Sequence, residues 1–247
     1  MIMTTHISAT LQFARKSRWT RVAALGLAVL TCGVAGAAQA ADTFDLLRKG
    51  GYTLFFRHTQ SDWAIARAPA PAKSGAATGA TSGVIAKVEA CAGEPQLSEE
   101  GRADARALGM AIKSLKLSVS DISSANLCRM RETATIAFGA PRTVADLAPR
   151  PGYALSLSAQ AAAVERLAGA PLAEHSLRVI VGDYEVAQAL YGVTLAEGDA
   201  VVLKTGADGR QSAVAHLRLG EWRAVALAKA AFERIFHVQC TSGFRPP

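Results

Sequence analysis

Apolar and polar positions along the chain follow two alternating periods. Short runs rich in β-branched and aromatic residues, at Tyr52–Phe56, Val119–Ser124, Leu177–Val181 and Ala200–Lys204, read as buried strands. Between them, apolar residues recur every three or four positions. Ala105, Leu108, Ile112 and Leu115 share one helical face behind Ser98, which suits an N-cap. Asn126–Phe138 reads as a turn entering a second helix that Gly139 and Pro141 end, and Ala159–Leu167 as a helix closed by Gly169. A short helix is expected after Gly182, over Tyr184–Leu190, and a last one from about Glu221 to about Phe236. Thr143–Leu147 is a weak strand, and Ala213–Leu217 follows Ala200–Lys204 across Ala207-Asp208-Gly209, a hairpin-type turn. This alternation predicts an α/β fold: a three-layer α/β/α sandwich, its sheet mostly parallel with helices on both faces, in one domain over residues 41–247.

Two stretches lack either period. Residues 64–90 are Ala, Gly, Ser, Thr and Pro with little apolar patterning, expected to be a flexible insertion beside the first strand, either a lid or a disordered loop. Residues 1–40 place Arg15, Lys16, Arg18 and Arg21 before the apolar run Val22–Ala37, with Ala38-Gln39-Ala40 as a cleavage site. That is the order of a signal peptide, so a periplasmic or secreted protein is expected, with contact to a membrane only if the signal is retained. The signal also accounts for most of the basicity. Of 27 basic residues it holds four, leaving 23 against 20 acidic ones in the remainder. No basic run interleaved with aromatic residues remains, so no nucleic-acid partner is expected. No Cys or His spacing suggests a metal, and no cofactor motif is present. Export would put Cys91, Cys128 and Cys240 in an oxidising compartment.

In a parallel sheet, three strands would end at one edge: at Arg57-His58, at Ser123-Ser124 leading to Arg129, and at Val181-Gly182 leading to Asp183. Guanidiniums grip phosphoryl oxygens bidentately, and a neutral imidazole beside them can act as nucleophile or acid/base. The segments Arg57-His58-Thr59-Gln60-Ser61-Asp62-Trp63, Leu97-Ser98-Glu99-Glu100-Gly101-Arg102 and Ser123-Ser124 through Arg129 to Thr133-Ala134 resemble, in order, three motifs of the histidine phosphatase superfamily, with its phosphoglycerate-mutase-like fold. Leu127-Cys128-Arg129 is most similar to its short exported members. The resemblance implies that His58 is the nucleophile that takes the phosphoryl group, that Arg57 and Arg129 hold its oxygens, and that Ser61 adds a hydroxyl donor. A Cys91–Cys128 bridge is the preferred pairing, since both flank segments brought toward this site, although sequence leaves the connectivity open. Asp62, Glu94, Glu99 and Asp146 are conceivable leaving-group acids, none singled out by spacing. Arg131, two residues from Arg129, is expected to be a surface or ion-pairing residue.

The departure from the family is Asp183, which stands where the second histidine is expected. A carboxylate donates no hydrogen bond and repels a dianion, and losing one preorganised donor typically costs roughly 10²- to 10³-fold in rate. Asp183 is also placed to cap the helix after it, or to accept a hydrogen bond from His58. His175 precedes its strand and belongs to the opposite edge, while His216 and His237 are expected to be ordinary surface or core residues. Two functions follow: a metal-independent phosphatase of small phosphomonoesters with impaired activity, or a catalytically inactive phosphatase fold that binds a phosphorylated ligand or a partner.

Overall fold

In the computed structural model, residues 39–64, 91, 93–149 and 153–241 are described. Residues 1–38 of the expected signal segment and nearly all of the 64–90 stretch lie outside them. Apart from Gln39, the described residues belong to one unit, Ala40–Pro247.

A helix ending at residue 48 (α1) leads into β1, Tyr52–Arg57. A two-stranded ladder of β2 (Ser61–Asp62) and β3 (Gln96–Leu97) follows, then α2 (Glu99–Ser114), β4 (Val119–Ala125) and α3 (Cys128–Ala137). Next come β5 (Arg142–Val144), α4 (Tyr153–Gly169), β6 (Leu177–Gly182), α5 (Tyr184–Tyr191), the hairpin of β7 (Ala200–Thr205) and β8 (Gln211–Leu217), and α6 (Leu219–Thr241). The expected strand over Thr143–Leu147 is half strand. Residues Ala145–Leu147 turn into a 3₁₀ helix that buries Leu147.

One six-stranded sheet runs in the order β5-β4-β6-β1-β7-β8. β5, β4, β6 and β1 are mutually parallel, whereas β7 is antiparallel to both β1 and β8. The connections from β1 to β4 and from β4 to β5 move one way across the sheet, and that from β5 to β6 moves back. Because such crossovers are right-handed, α2 and α3 lie on one face and α4 on the other. α6 packs on α2, and α5 packs on α4, which completes the expected three layers. Between the layers Leu54, Phe56, Val179, Val181 and Val202 are wholly buried, and Trp222 of α6 packs edge-on against Phe44 and at a tilt to Phe56.

The register decides where chemistry falls. Phe56 lies beside Val181, Val181 beside Ser124, and Arg57 beside Gly182. The residues that follow, His58, Ala125 and Asp183, therefore emerge together at the carboxyl edge of the sheet.

Candidate active site

Each site residue is held by the backbone around it. His58 donates its amide to Gly182 O (3.3 Å) and accepts at its carbonyl from Gly198 N (3.0 Å), while Arg57 donates its amide to Asp199 O (3.0 Å). Thr59 N donates to Thr133 Oγ1 (3.1 Å), whose hydroxyl donates to Arg129 O (2.8 Å), so the loop after β1 is pinned to the first turns of α3. The same loop docks on α2. Ser98 N donates to Gln60 O (3.0 Å), the Ser98 hydroxyl accepts from Gly101 N as the expected cap, and a Cβ at Gly101 would sit 2.0 Å from Gln60 O. Only glycine admits that approach. At Gly182 a Cβ would meet Phe55 at 2.8 Å, so the residue before Asp183 also has to be small.

Cys91 and Cys128 are joined in a disulfide. It ties the start of α3, where Arg129 sits, to the segment before β3. Leu127 gives α3 no side-chain cap, and Glu94 serves instead by accepting from Cys128 N at 2.8 Å. Arg131 is turned away from the site, with its guanidinium 3.1 Å from Cys128 Sγ.

His58, Arg57, Arg129, Ser61 and Asp183, the five residues singled out in the sequence, all line one cleft of about 330 Å³. His58 Nδ1 lies 2.8 Å from Thr59 O, which makes this nitrogen the donor and leaves Nε2 with its lone pair. Burial, assisted by the charges of Arg129 and Arg57, lowers the imidazole pKa below 6.5 against the opposing pull of the Thr59 carbonyl and Asp183, so His58 is neutral near pH 7. Nε2 is thus a free nucleophilic nitrogen, 3.9 Å from Asp183 Oδ1.

Asp183 holds the centre of the arrangement. Its Oδ2 accepts from Arg129 Nη2 at 2.9 Å, and its Oδ1 accepts from Tyr184 N at 2.9 Å, capping α5 as expected. Arg57 Nε stands 3.9 Å from Oδ1. Burial raises the carboxyl pKa, but the Arg129 hydrogen bond, His58 and the Tyr184 amide outweigh it, so Asp183 is held below the ordinary carboxylate range as an anion. The hydrogen bond expected from His58 to Asp183 is not made; the nearest contact there is an ion-pair distance, and Arg129 is the donor instead. The reason is reach: α3 aims the Arg129 fork across the cleft, while the imidazole is fixed by Thr59 O.

The remaining donors are the functionally telling ones. Arg129 Nε and Arg57 Nε are both buried without a hydrogen-bond partner among the described residues, while Arg57 Nη1 donates to Leu195 O at 3.0 Å. Two aromatic rings cover the guanidiniums: Tyr184 lies 4.8 Å from Arg57, and Trp63 lies 5.8 Å from Arg129.

Ser61 faces the cleft, but its hydroxyl donates to Glu197 Oε1 (3.3 Å), which also accepts from Ser61 N at 3.4 Å. Glu197 and Glu185 are lining residues that sequence reasoning did not single out. The signal for Glu197 was weak: it sits in a loop before Gly198, and only the bond from Gly198 N to His58 O draws that loop to the site. The four acids named from sequence are placed elsewhere. Glu94 caps α3, Asp62 Oδ1 accepts from Ala64 N, Glu99 is exposed beside Arg102 and Arg106, and Asp146 pairs with Arg166. His175 lies before β6 with its ring 3.4 Å from Lys49 O at the opposite edge, as expected, and His216 pairs with Asp199 at 3.1 Å. The His237 side chain lies outside those described. Among the described residues no group of His, Cys, Asp and Glu is arranged to hold a metal ion.

No family model and no curated protein matches the chain. Solved structures do. The protein histidine phosphatase SixA complexed with tungstate shares 10% identity at a TM-score of 0.44 over 68% of this chain and 97% of its own. Open reading frame Rv3214 from Mycobacterium tuberculosis shares 14% at 0.47, over 68% and 98%, and TTHB049 from Thermus thermophilus shares 20% at 0.41, over 68% and 99%. Likenesses this distant assign no activity. The functional reading rests on the chain's own residues.

Proposed function

We propose that this chain is a phosphatase of the histidine phosphatase type, which cleaves small phosphomonoesters slowly through a phosphohistidine at His58. The observation that carries the reading is the bare, neutral Nε2 of His58 in a cleft where Arg129 Nε and Arg57 Nε are buried without partners among the described residues. Those donors suit the equatorial oxygens of a phosphoryl group, whose transfer demands positioning and charge neutralisation more than covalent assistance. In the first step the P–O ester bond breaks, the P–N bond to Nε2 forms, and the leaving oxygen takes a proton from solvent water. Water then breaks the P–N bond, releasing phosphate and restoring the imidazole. Asp183 slows the first step, because its carboxylate occupies Arg129 and repels the incoming dianion.

Hydrolysis of an aryl phosphate by the chain, in chelator, is expected to fall at least ~10³-fold in His58→Ala. Equal rates in the two proteins would overturn the proposal.

The Arg129–Asp183 contact favours a second reading, a binding protein without turnover. It predicts protection of both wild type and His58→Ala by phosphate against thermal unfolding, with no hydrolysis by either.

The Cys91–Cys128 bond supports an exported protein, since such bonds persist in oxidising compartments. The N-terminal residue of the exported protein separates cleavage from retention: Ala41 is expected, and Met1 would mean that the signal is kept as a membrane tether.

A further inference from the structure

The charges lining the cleft are out of balance for a simple dianion. Arg57 and Arg129 face Asp183, Glu185 and Glu197, two cations against three carboxylates. Asp183 is matched by Arg129 at 2.9 Å. Glu185 and Glu197 are not matched: neither forms an ion pair with a described residue, and Glu197 receives only the hydroxyl and amide of Ser61. A phosphomonoester with a neutral leaving group would bring two more negative charges into this space. A ligand that carries its own cation would not.

The walls suit such a cation. Trp63 and Tyr184 are among the large hydrophobic side chains left exposed on the described surface, at 55% and 39%, and both border this cleft. Aromatic faces beside carboxylates recognise alkylammonium groups by ring quadrupole and by charge. Glu185 stands one residue after Tyr184 at the start of α5, and Glu197, which lines the same cleft, lies in the loop that Gly198 N fastens to His58 O.

We propose that the cleft takes a zwitterionic phosphomonoester, in which the phosphoryl group meets Arg57, Arg129 and His58 while an ammonium group a few bonds away meets Glu185 and Glu197, beside the two rings that already cover Arg57 and Arg129. The inference rests on the phosphoryl-binding reading above and specifies its substrate class.

Phosphocholine and 3,3-dimethylbutyl phosphate differ only in that a quaternary nitrogen replaces a quaternary carbon, so their comparison isolates the positive charge. Calorimetric binding to the His58→Ala protein, which separates affinity from turnover, is expected to favour phosphocholine by tenfold or more. In the same protein carrying Glu185→Gln and Glu197→Gln, that preference is expected to shrink to under twofold, with tighter binding of the dimethylbutyl ester. Equal binding of the two esters by the parent would overturn this inference and leave the phosphoryl site standing. A preference that survives in the double variant would overturn the role of these two carboxylates. Binding of neither ester would overturn the phosphoryl site and this inference together.

Discussion

Two Arg–Asp pairs, each with a buried arginine, sit at the two ends of the same sheet, and their difference separates scaffold from site. Near the amino end of β6, Arg178 is 2% exposed and each of its guanidinium nitrogens has a partner: Nε donates to Asp121 Oδ2 at 2.7 Å, Nη1 to the carbonyls of Ala168 and Ala170, and Nη2 to Pro171 O. At the carboxyl end Arg129 is almost as buried, yet it spends Nη2 on Asp183 and leaves Nε without a partner among the described residues. Burying an unpaired donor costs about 1–3 kcal/mol. Arg178 avoids that cost and fastens the end of α4 to β6. Arg129 bears it, as does Arg57, and the two together form a place where an anion would gain what the fold gives up. A buried charge is therefore weak evidence of function; a buried charge with donors left over is stronger.

Replacing each arginine by methionine separates the pairs. Arg178→Met, which removes the donor to Asp121 Oδ2 and to the Ala170 and Pro171 carbonyls, is expected to lower the unfolding free energy by about 3 kcal/mol in urea titration. Arg129→Met should cost about 1 kcal/mol, because Arg57 and the Tyr184 amide still face Asp183, but it should abolish protection by phosphate. Similar stability losses in both variants would erase the distinction.

A smaller effect is expected from Asp183→Asn. The amide keeps the size of the side chain, removes its charge and releases Arg129, so phosphate should bind about tenfold tighter, roughly 1.4 kcal/mol. Unchanged or weaker phosphate binding by calorimetry would mean that the carboxylate does not compete for the oxyanion position.

The smallest effect is on stability against pH. His58 has its folded pKa below the unfolded 6.5, so the unfolded chain binds the extra proton first, and stability falls as pH drops below about 6.5. Asp183, also lowered, contributes stability that is present above its ordinary 3.8 and lost as pH falls through its folded pKa. Between pH 7 and 5 the wild-type Tm should therefore decline more than that of His58→Ala, which thermal scans across this range measure. Parallel curves would place His58 in water rather than in the sheet edge.

Much of the architecture was legible because apolar period and strand length agree wherever one face of an element is buried. The strands at Tyr52, Val119, Leu177 and Ala200 were found within a residue or two, and so were the caps Ser98 and Asp183. Two helix boundaries slipped. α4 begins well before Ala159 and α6 runs on past Phe236. Ala145–Leu147 curls away from the sheet because Leu147 finds its burial in a turn. For the site, the Arg57-His58 pair, Arg129 and Asp183 could be read from strand ends. The roles of Ser61, Arg131 and Glu197 could not, since each depends on a partner across the fold: Glu197 for Ser61, the Cys128 sulfur for Arg131, and the Gly198 amide bond for Glu197.

Which residues reach the carboxyl edge of the sheet follows from the chain's local pattern, because strand length and side-chain alternation are properties of short segments. The same pattern puts a carboxylate at position 183. What that carboxylate does there follows only from the packed fold. Whether Asp183 would accept a hydrogen bond from His58 or from Arg129 depends on angles set by α3, by the Cys91–Cys128 bond and by the Thr59 carbonyl, all remote in sequence. Long-range geometry fixes the direction of a hydrogen bond, and direction separates an occupied arginine from an available one.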